Sequence, residues 1–164
     1  MKKLLYIFSL ALLLAGCNSV KKNQRLLAQG NYEKAIELAV KKLQKNTSSK
    51  KKDGHITVLE KAFQKNVAKA TRRISFLEKQ GNASGAKEIY YTYQNLAYIQ
   101  DKIRPLLPIY SNTLKRDAEF TLKDYSSKIL YAKKAYIAYL YDEAGLYMQY
   151  QTRKAYSTAY NIYC

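Results

Sequence analysis

Gln29-Gly30-Asn31-Tyr32-Glu33-Lys34-Ala35 is echoed by Gln80-Gly81-Asn82-Ala83-Ser84-Gly85-Ala86, and this recurrence decides how the chain is read. In each copy a run with helical periodicity meets Gly-Asn. The glycine suits the left-handed backbone position that ends a helix, and the asparagine is a good cap for the next one. Each copy therefore predicts helix, turn, helix. After the first turn Ala35 and Ala39 recur at i and i+4, as Ala86 and Tyr90 do after the second. That spacing places them on the face that meets the preceding helix.

The pattern resembles the tetratricopeptide repeat, whose second helix commonly starts Gly-x-Tyr-x-x-Ala and carries another apolar residue four positions later. Gly30, Tyr32, Ala35 and Ala39 match it. Gly81, Ala86 and Tyr90 match it with Ala83 in place of the tyrosine and with Gly85 weakening the first helical turn. A weaker third unit has Ala144-Gly145 in its first helix, Ala155 and Ala159 in its second, and a turn without glycine near Tyr150 to Thr152. The resemblance implies an all-α fold of antiparallel helix hairpins stacked as a short tetratricopeptide-like solenoid, with a role in protein–protein interaction. Gly30 and Gly81 stand 51 positions apart, where the repeat takes about 34. The polar, lysine-rich stretch 45–54 predicts a basic solvated loop that absorbs the excess.

Helices are expected at about 19–29, 31–45, 55–80, 84–103, 111–124, 126–149 and 152–164, with no strand required. Pro105-Leu106-Leu107-Pro108 breaks the fourth, because proline lacks an amide donor and disfavours helical geometry just before it. Ser111 or Asn112 would cap the next. Leu122, Tyr125, Ile129, Ala132, Tyr136, Leu140, Ala144 and Tyr147 form one apolar stripe along the later helices. The sequence stops at Cys164 within a tyrosine-rich helical pattern, without the polar capping helix usual in repeat arrays, which reads as an incomplete or partner-covered end.

At the amino terminus Lys2-Lys3 precede an apolar run from Leu4 to Leu14 that ends in Leu14-Ala15-Gly16-Cys17. A run of roughly 11 residues is too short to span a bilayer, which takes about 20. The segment resembles a bacterial lipoprotein signal peptide with its lipobox. The resemblance implies that residues 1–16 are removed, that the Cys17 thiol takes a diacylglyceryl group, and that the new amino terminus is acylated. Residues 17–164 are then one helical domain tethered to a membrane of the cell envelope. Asn18 stands where aspartate would favour retention at the inner membrane in the familiar sorting scheme, so the periplasmic face of the outer membrane is expected.

The formal charge of +17 falls by two to +15 when Lys2 and Lys3 leave with the signal. Acidic partners follow from that field: anionic lipid, peptidoglycan or an acidic protein. Nucleic acid is disfavoured by location, and codon bias in an AT-rich genome would also enrich lysine without selection for a basic surface. Lipidation uses Cys17 and leaves Cys164 as the other cysteine, so no intrachain disulfide is expected. Lys50-Lys51-Lys52 reads as loop charge suited to an anionic surface.

Of the 17 tyrosines, 15 lie from Tyr90 onward. Tyr136, Tyr139, Tyr147 and Tyr150 read as core, or as the semi-exposed lining of a groove in which Tyr147 and Tyr150, with Lys133, Lys134 and Arg153, hold an acidic peptide. His55, the single histidine, reads as an exposed helix-start residue. No Glu-Ser pair of the soluble lytic transglycosylase kind, Gly-x-Ser-x-Gly elbow, phosphate loop or cysteine metal cluster is present, so no enzyme, metal site or cofactor is expected. The expected function is a membrane-anchored helical-repeat scaffold or adaptor, the alternative a charge-driven binder of peptidoglycan or another acidic envelope polymer.

Overall fold

The computed structural model describes residues 18–45, 49–81 and 83–163. Leu14, Ala15, Gly16, Cys17, residues 46–48, Asn82 and Cys164 lie outside them. Among the described residues the fold is all-α apart from one two-residue strand pair. Its helices are α1 (Asn18–Ala28), α2 (Tyr32–Leu43), α3 (Ser49–Gln80), α4 (Gly85–Ile103), α5 (Ser126–Gln149) and α6 (Arg153–Tyr163), with a 3-10 turn at Arg104–Leu106 and strands β1 (Tyr110–Ser111) and β2 (Arg116–Asp117). The chain divides into two compact units: residues 1–68 with 99–122, and residues 69–98 with 123–164.

In the first unit, α1 ends at Gly30, whose φ of +75° is left-handed. The Gly30 amide donates to Leu27 O at 3.2 Å and the Asn31 amide to Leu26 O at 2.9 Å, which satisfies the last carbonyls of α1. Asn31 occupies the cap position of α2, but its side chain makes no capping hydrogen bond, contrary to expectation. Ala35 and Ala39 are fully buried. They share a core with Ile36, Val40 and Leu43 of α2, Ile56, Leu59, Ala62 and Phe63 of α3, Ile99 and Ile103 of α4, and Ile109 and Ala118 beyond it.

Two expectations fail at the start of α3. Residues 49–54, assigned to a solvated basic loop, form the first turns of α3, and His55 is fully buried instead of exposed. The sequence places lysines and a glycine there, but tertiary packing overrides local polarity. A Cβ added at Gly54 would stand 2.8 Å from Val20 Cγ1, so the missing side chain is what lets α1 approach α3. The Asn23 amide nitrogen lies 3.2 Å from His55 Nδ1 and Ser19 Oγ 3.4 Å from His55 Nε2.

The helix expected at 111–124 is absent, replaced by the antiparallel pairing of Tyr110 with Asp117 and Ser111 with Arg116. Two carboxylates of α3 explain the difference. Asp53 accepts from Ser111 Oγ at 2.9 Å, from the Thr113 amide at 2.9 Å and from the Thr113 hydroxyl. Glu60, seven residues on and so on the same helix face, accepts from Arg116 at 2.8 Å and from the Glu119 amide at 2.7 Å. Donors that would enter a helix ladder are satisfied by α3 instead, while Ile109 and Ala118 enter the core and Phe120 packs edge-on to Phe63 at 5.5 Å.

In the second unit, Gly81 also adopts a left-handed φ, +61°. Arg73 near the end of α3 grips Glu88 of α4 through two hydrogen bonds of 2.6 and 2.7 Å. The α5–α6 turn falls at Tyr150 to Thr152 as expected, with Gln151 at φ +47° and Thr152 Oγ1 accepting from the Ala155 amide at 3.1 Å. Between α5 and α6 the fully enclosed side chains are small: Ala144, Ala155 and Ala159.

Candidate interaction surfaces

Helix α5 has apolar side chains round its whole circumference. One stripe, Ile129, Ala132, Tyr136, Leu140 and Tyr147, is half-buried or buried, and Tyr136 stacks on Tyr90 of α4 with ring centroids 6.1 Å apart. A second stripe, Leu130, Ile137, Tyr141 and Met148, is exposed, and Tyr141 meets Tyr163 of α6 at 5.2 Å. Off both stripes stand Tyr131, 78 % exposed, and Leu146. On α6, Tyr156, Tyr160 and Tyr163 follow at i, i+4 and i+7 along one exposed face, with Arg153 one turn earlier.

An open cleft of about 490 Å³ lies in this unit, with Leu77, Ala86, Ile89 and Tyr93 on one side and Lys128, Tyr131, Ala132 and Ala135 of α5 on the other. Glu78 also lines it. Burial, and then the negative charge of Glu78 and the neighbouring Tyr125, push the Tyr93 hydroxyl up from its ordinary value, so it stays protonated as a donor. The lining is mostly apolar with one cation, one carboxylate and two hydroxyls, which suits an apolar or aromatic side chain presented by a peptide.

The groove residues expected from the sequence are not assembled in this cleft. Tyr147 is half-buried and touches Tyr150, ring centroids 6.5 Å apart, while Tyr150 is 70 % exposed. Lys133, Lys134 and Arg153 are exposed, and none of the five lines the cleft. The tyrosines read as core are therefore half-buried at Tyr136, Tyr139 and Tyr147, and exposed at Tyr150. Tyr93, Lys128 and Tyr131 were missed. Tyr131 carried a signal, an aromatic off the apolar stripe, whereas Lys128 carried none. Of the repeat-defining residues, Ala35, Ala39 and Ala86 are buried, Tyr32 is half-buried, and Gly30 and Gly81 make the left-handed turns.

Asp53 and His55 hold the fold together. Burial raises the Asp53 carboxyl, but the Thr113 and Ser111 hydroxyls and the backbone amides of Asn112 and Thr113 outweigh it and leave the group below the usual carboxylate range. Burial, with the charge of Lys42 adding to it, lowers His55, which favours neutral imidazole. One tautomer serves both neighbours, with Nδ1 accepting from Asn23 and Nε2–H facing Ser19. Among the described residues no three His, Cys, Asp or Glu side chains are grouped to hold a metal.

Residues 1–18 match the prokaryotic membrane lipoprotein lipid attachment site. The match indicates a lipid-anchored bacterial envelope lipoprotein. No curated protein and no solved structure matches it. Among the described residues no helix is long and apolar enough to cross a membrane.

Proposed function

We propose that this lipoprotein is a non-enzymatic adaptor that holds a helical protein-binding surface at the envelope membrane, on the periplasmic face of the outer membrane. The observation that carries the reading is α5. A helix that carries apolar side chains on every side, between its five charged residues, presents more apolar surface than one core contact covers, and its buried side chains are Ala132 and Ala144 alone. Exposed tyrosines supply large amphipathic contacts of the kind that dominate binding hot spots. The tetratricopeptide-like reading is supported by the two left-handed glycine turns with alanines buried after them. The 32-residue length of α3 and the strand pair after α4 depart from a regular array.

The alternative, a charge-driven binder of peptidoglycan or another acidic polymer, draws support from the net charge. Envelope crosslinking separates the two. Tyr131→Ala with Tyr160→Ala should lower recovery of a protein partner several-fold while helical circular dichroism is unchanged, and neutralising Lys50, Lys51 and Lys52 should not. The reverse outcome, with partners lost only on loss of the lysines, refutes the adaptor reading.

A further inference from the structure

Helix α1 begins at Asn18, the residue after the lipid-bearing cysteine, so no linker separates the anchor from the folded chain. One face of α1 is committed to the protein. Val20 stands against Gly54, Asn23 reaches His55, and Leu27 packs against the core of the first unit. The opposite face carries Lys21, Lys22 and Arg25, all exposed, and α1 contains no acidic residue. Among the described residues none of these three cations takes part in an ion pair.

At 1.5 Å per residue, Lys21 and Arg25 lie roughly 5 and 11 Å along the helix axis from Asn18. Screening in the physiological range acts over about 8 Å, so Lys21 and Lys22 feel the surface in which the anchor is embedded, and Arg25 does so once the helix lies along it. We propose that α1 lies along the membrane and that Lys21, Lys22 and Arg25 bind anionic phospholipid headgroups of the leaflet that holds the protein's own lipid. The helix side facing away from the membrane is then the side already packed on α3, so docking needs no rearrangement of the first unit. Anionic lipid is favoured over wall polymer or an acidic protein because the covalent tether keeps it within reach of these side chains at all times. The inference rests on lipid attachment at Cys17 and is independent of the adaptor surface on α5 and α6.

Each basic side chain near an anionic leaflet raises the docked population by about fivefold, so the three together favour it by on the order of a hundredfold. The lipidated protein, with Cys164→Ser and with Gln24→Cys carrying a polarity-sensitive fluorophore, is reconstituted into vesicles of phosphatidylethanolamine and phosphatidylglycerol in equal parts, or of phosphatidylcholine alone. Gln24 is exposed and flanks the cationic face. Mass spectrometry of the vesicle-bound protein reports the acyl chains, so a failure of lipidation is seen separately from a failure of docking. The expected result is blue-shifted emission and several-fold protection from acrylamide quenching in the anionic vesicles. Both should be lost in phosphatidylcholine, in high salt, and on combining Lys21→Gln, Lys22→Gln and Arg25→Gln. Equal quenching in the two vesicle types, or protection that survives the triple substitution, overturns the proposal. So does protection that appears only when peptidoglycan or an envelope protein extract is added, which would assign the face to that partner instead.

Discussion

Gly54→Ala is the sharpest probe of how α1 seats on α3, because its effect should change sign with the residue at position 20. Replacing glycine by alanine within a helix is worth about 1 kcal/mol of stabilisation where there is room. Here the new methyl would lie 2.8 Å from Val20 Cγ1 and 3.4 Å from Val20 Cγ2, against an ordinary carbon–carbon separation of about 3.5–4.0 Å. Valine on a helix has one strongly preferred χ1 rotamer and cannot swing aside, so the overlap should cost about 1–3 kcal/mol as overpacking. The net for Gly54→Ala is a loss of roughly 1 kcal/mol. Val20→Ala by itself should cost about 1 kcal/mol, as expected for removing methyl groups from a half-buried valine. In that background the collision is gone and Gly54→Ala should stabilise by about 1 kcal/mol. The assay is urea unfolding of the chain carrying Cys17→Ser, with midpoints compared at unchanged slope. If Gly54→Ala has the same effect in both backgrounds within about 0.5 kcal/mol, Val20 does not pack on Gly54 and the placement of α1 is wrong.

Ala35→Glu places a carboxylate at a fully buried position and should cost several kcal/mol, visible as loss of cooperative thermal unfolding; unchanged stability would remove Ala35 from the hairpin contact. Acidification should weaken the fold in two stages. The lowered His55 value means that below its unfolded value near 6.5 only the unfolded chain takes the proton, so stability is full above that pH and falls beneath it. His55→Gln should flatten this part of the stability profile. Asp53, also lowered, holds its contribution above its unfolded value of 3.8 and loses it as the pH falls further, a second drop that Asp53→Asn should abolish. Cys17→Ser should end metabolic labelling with fatty acid and release the protein from membranes, and continued labelling would place the lipid elsewhere.

Much of the helical layout was legible because it depends on local chemistry. Gly30 and Gly81 end helices in left-handed turns, the prolines at 105 and 108 end α4 near Ile103, and Ala35, Ala39 and Ala86 face inward by spacing alone. The lipid attachment site was legible for a different reason. It is a short linear signal whose meaning needs no fold.

What the chain does between Pro108 and Tyr125, and at the start of α3, was decided by tertiary structure. Locally Ser111 and Asn112 look like caps and the following residues like a helix, but Asp53 and Glu60 lie 58 and 56 positions away from Ser111 and Arg116 and take their donors. Local propensity amounts to a few tenths of a kcal/mol per residue, while hydrogen bonds to charged groups are worth about 1.5–3 kcal/mol each. The long-range bonds prevail. For the same reason Asp53 and Gly54 look like a polar loop and His55 like an exposed helix start in one dimension, and all three become, in three, the seat on which α1 rests. The tyrosines follow the opposite course. Their periodicity placed Tyr136, Tyr139, Tyr147 and Tyr150 towards a core, but the second unit encloses little beyond alanine in α5 and α6, and no spacing in the sequence states how much neighbouring surface exists to cover a ring. Sequence alone determined the anchor, the turns and the helical character. Only the packing of distant segments decided which polar groups were buried and which aromatic ones were left facing outward.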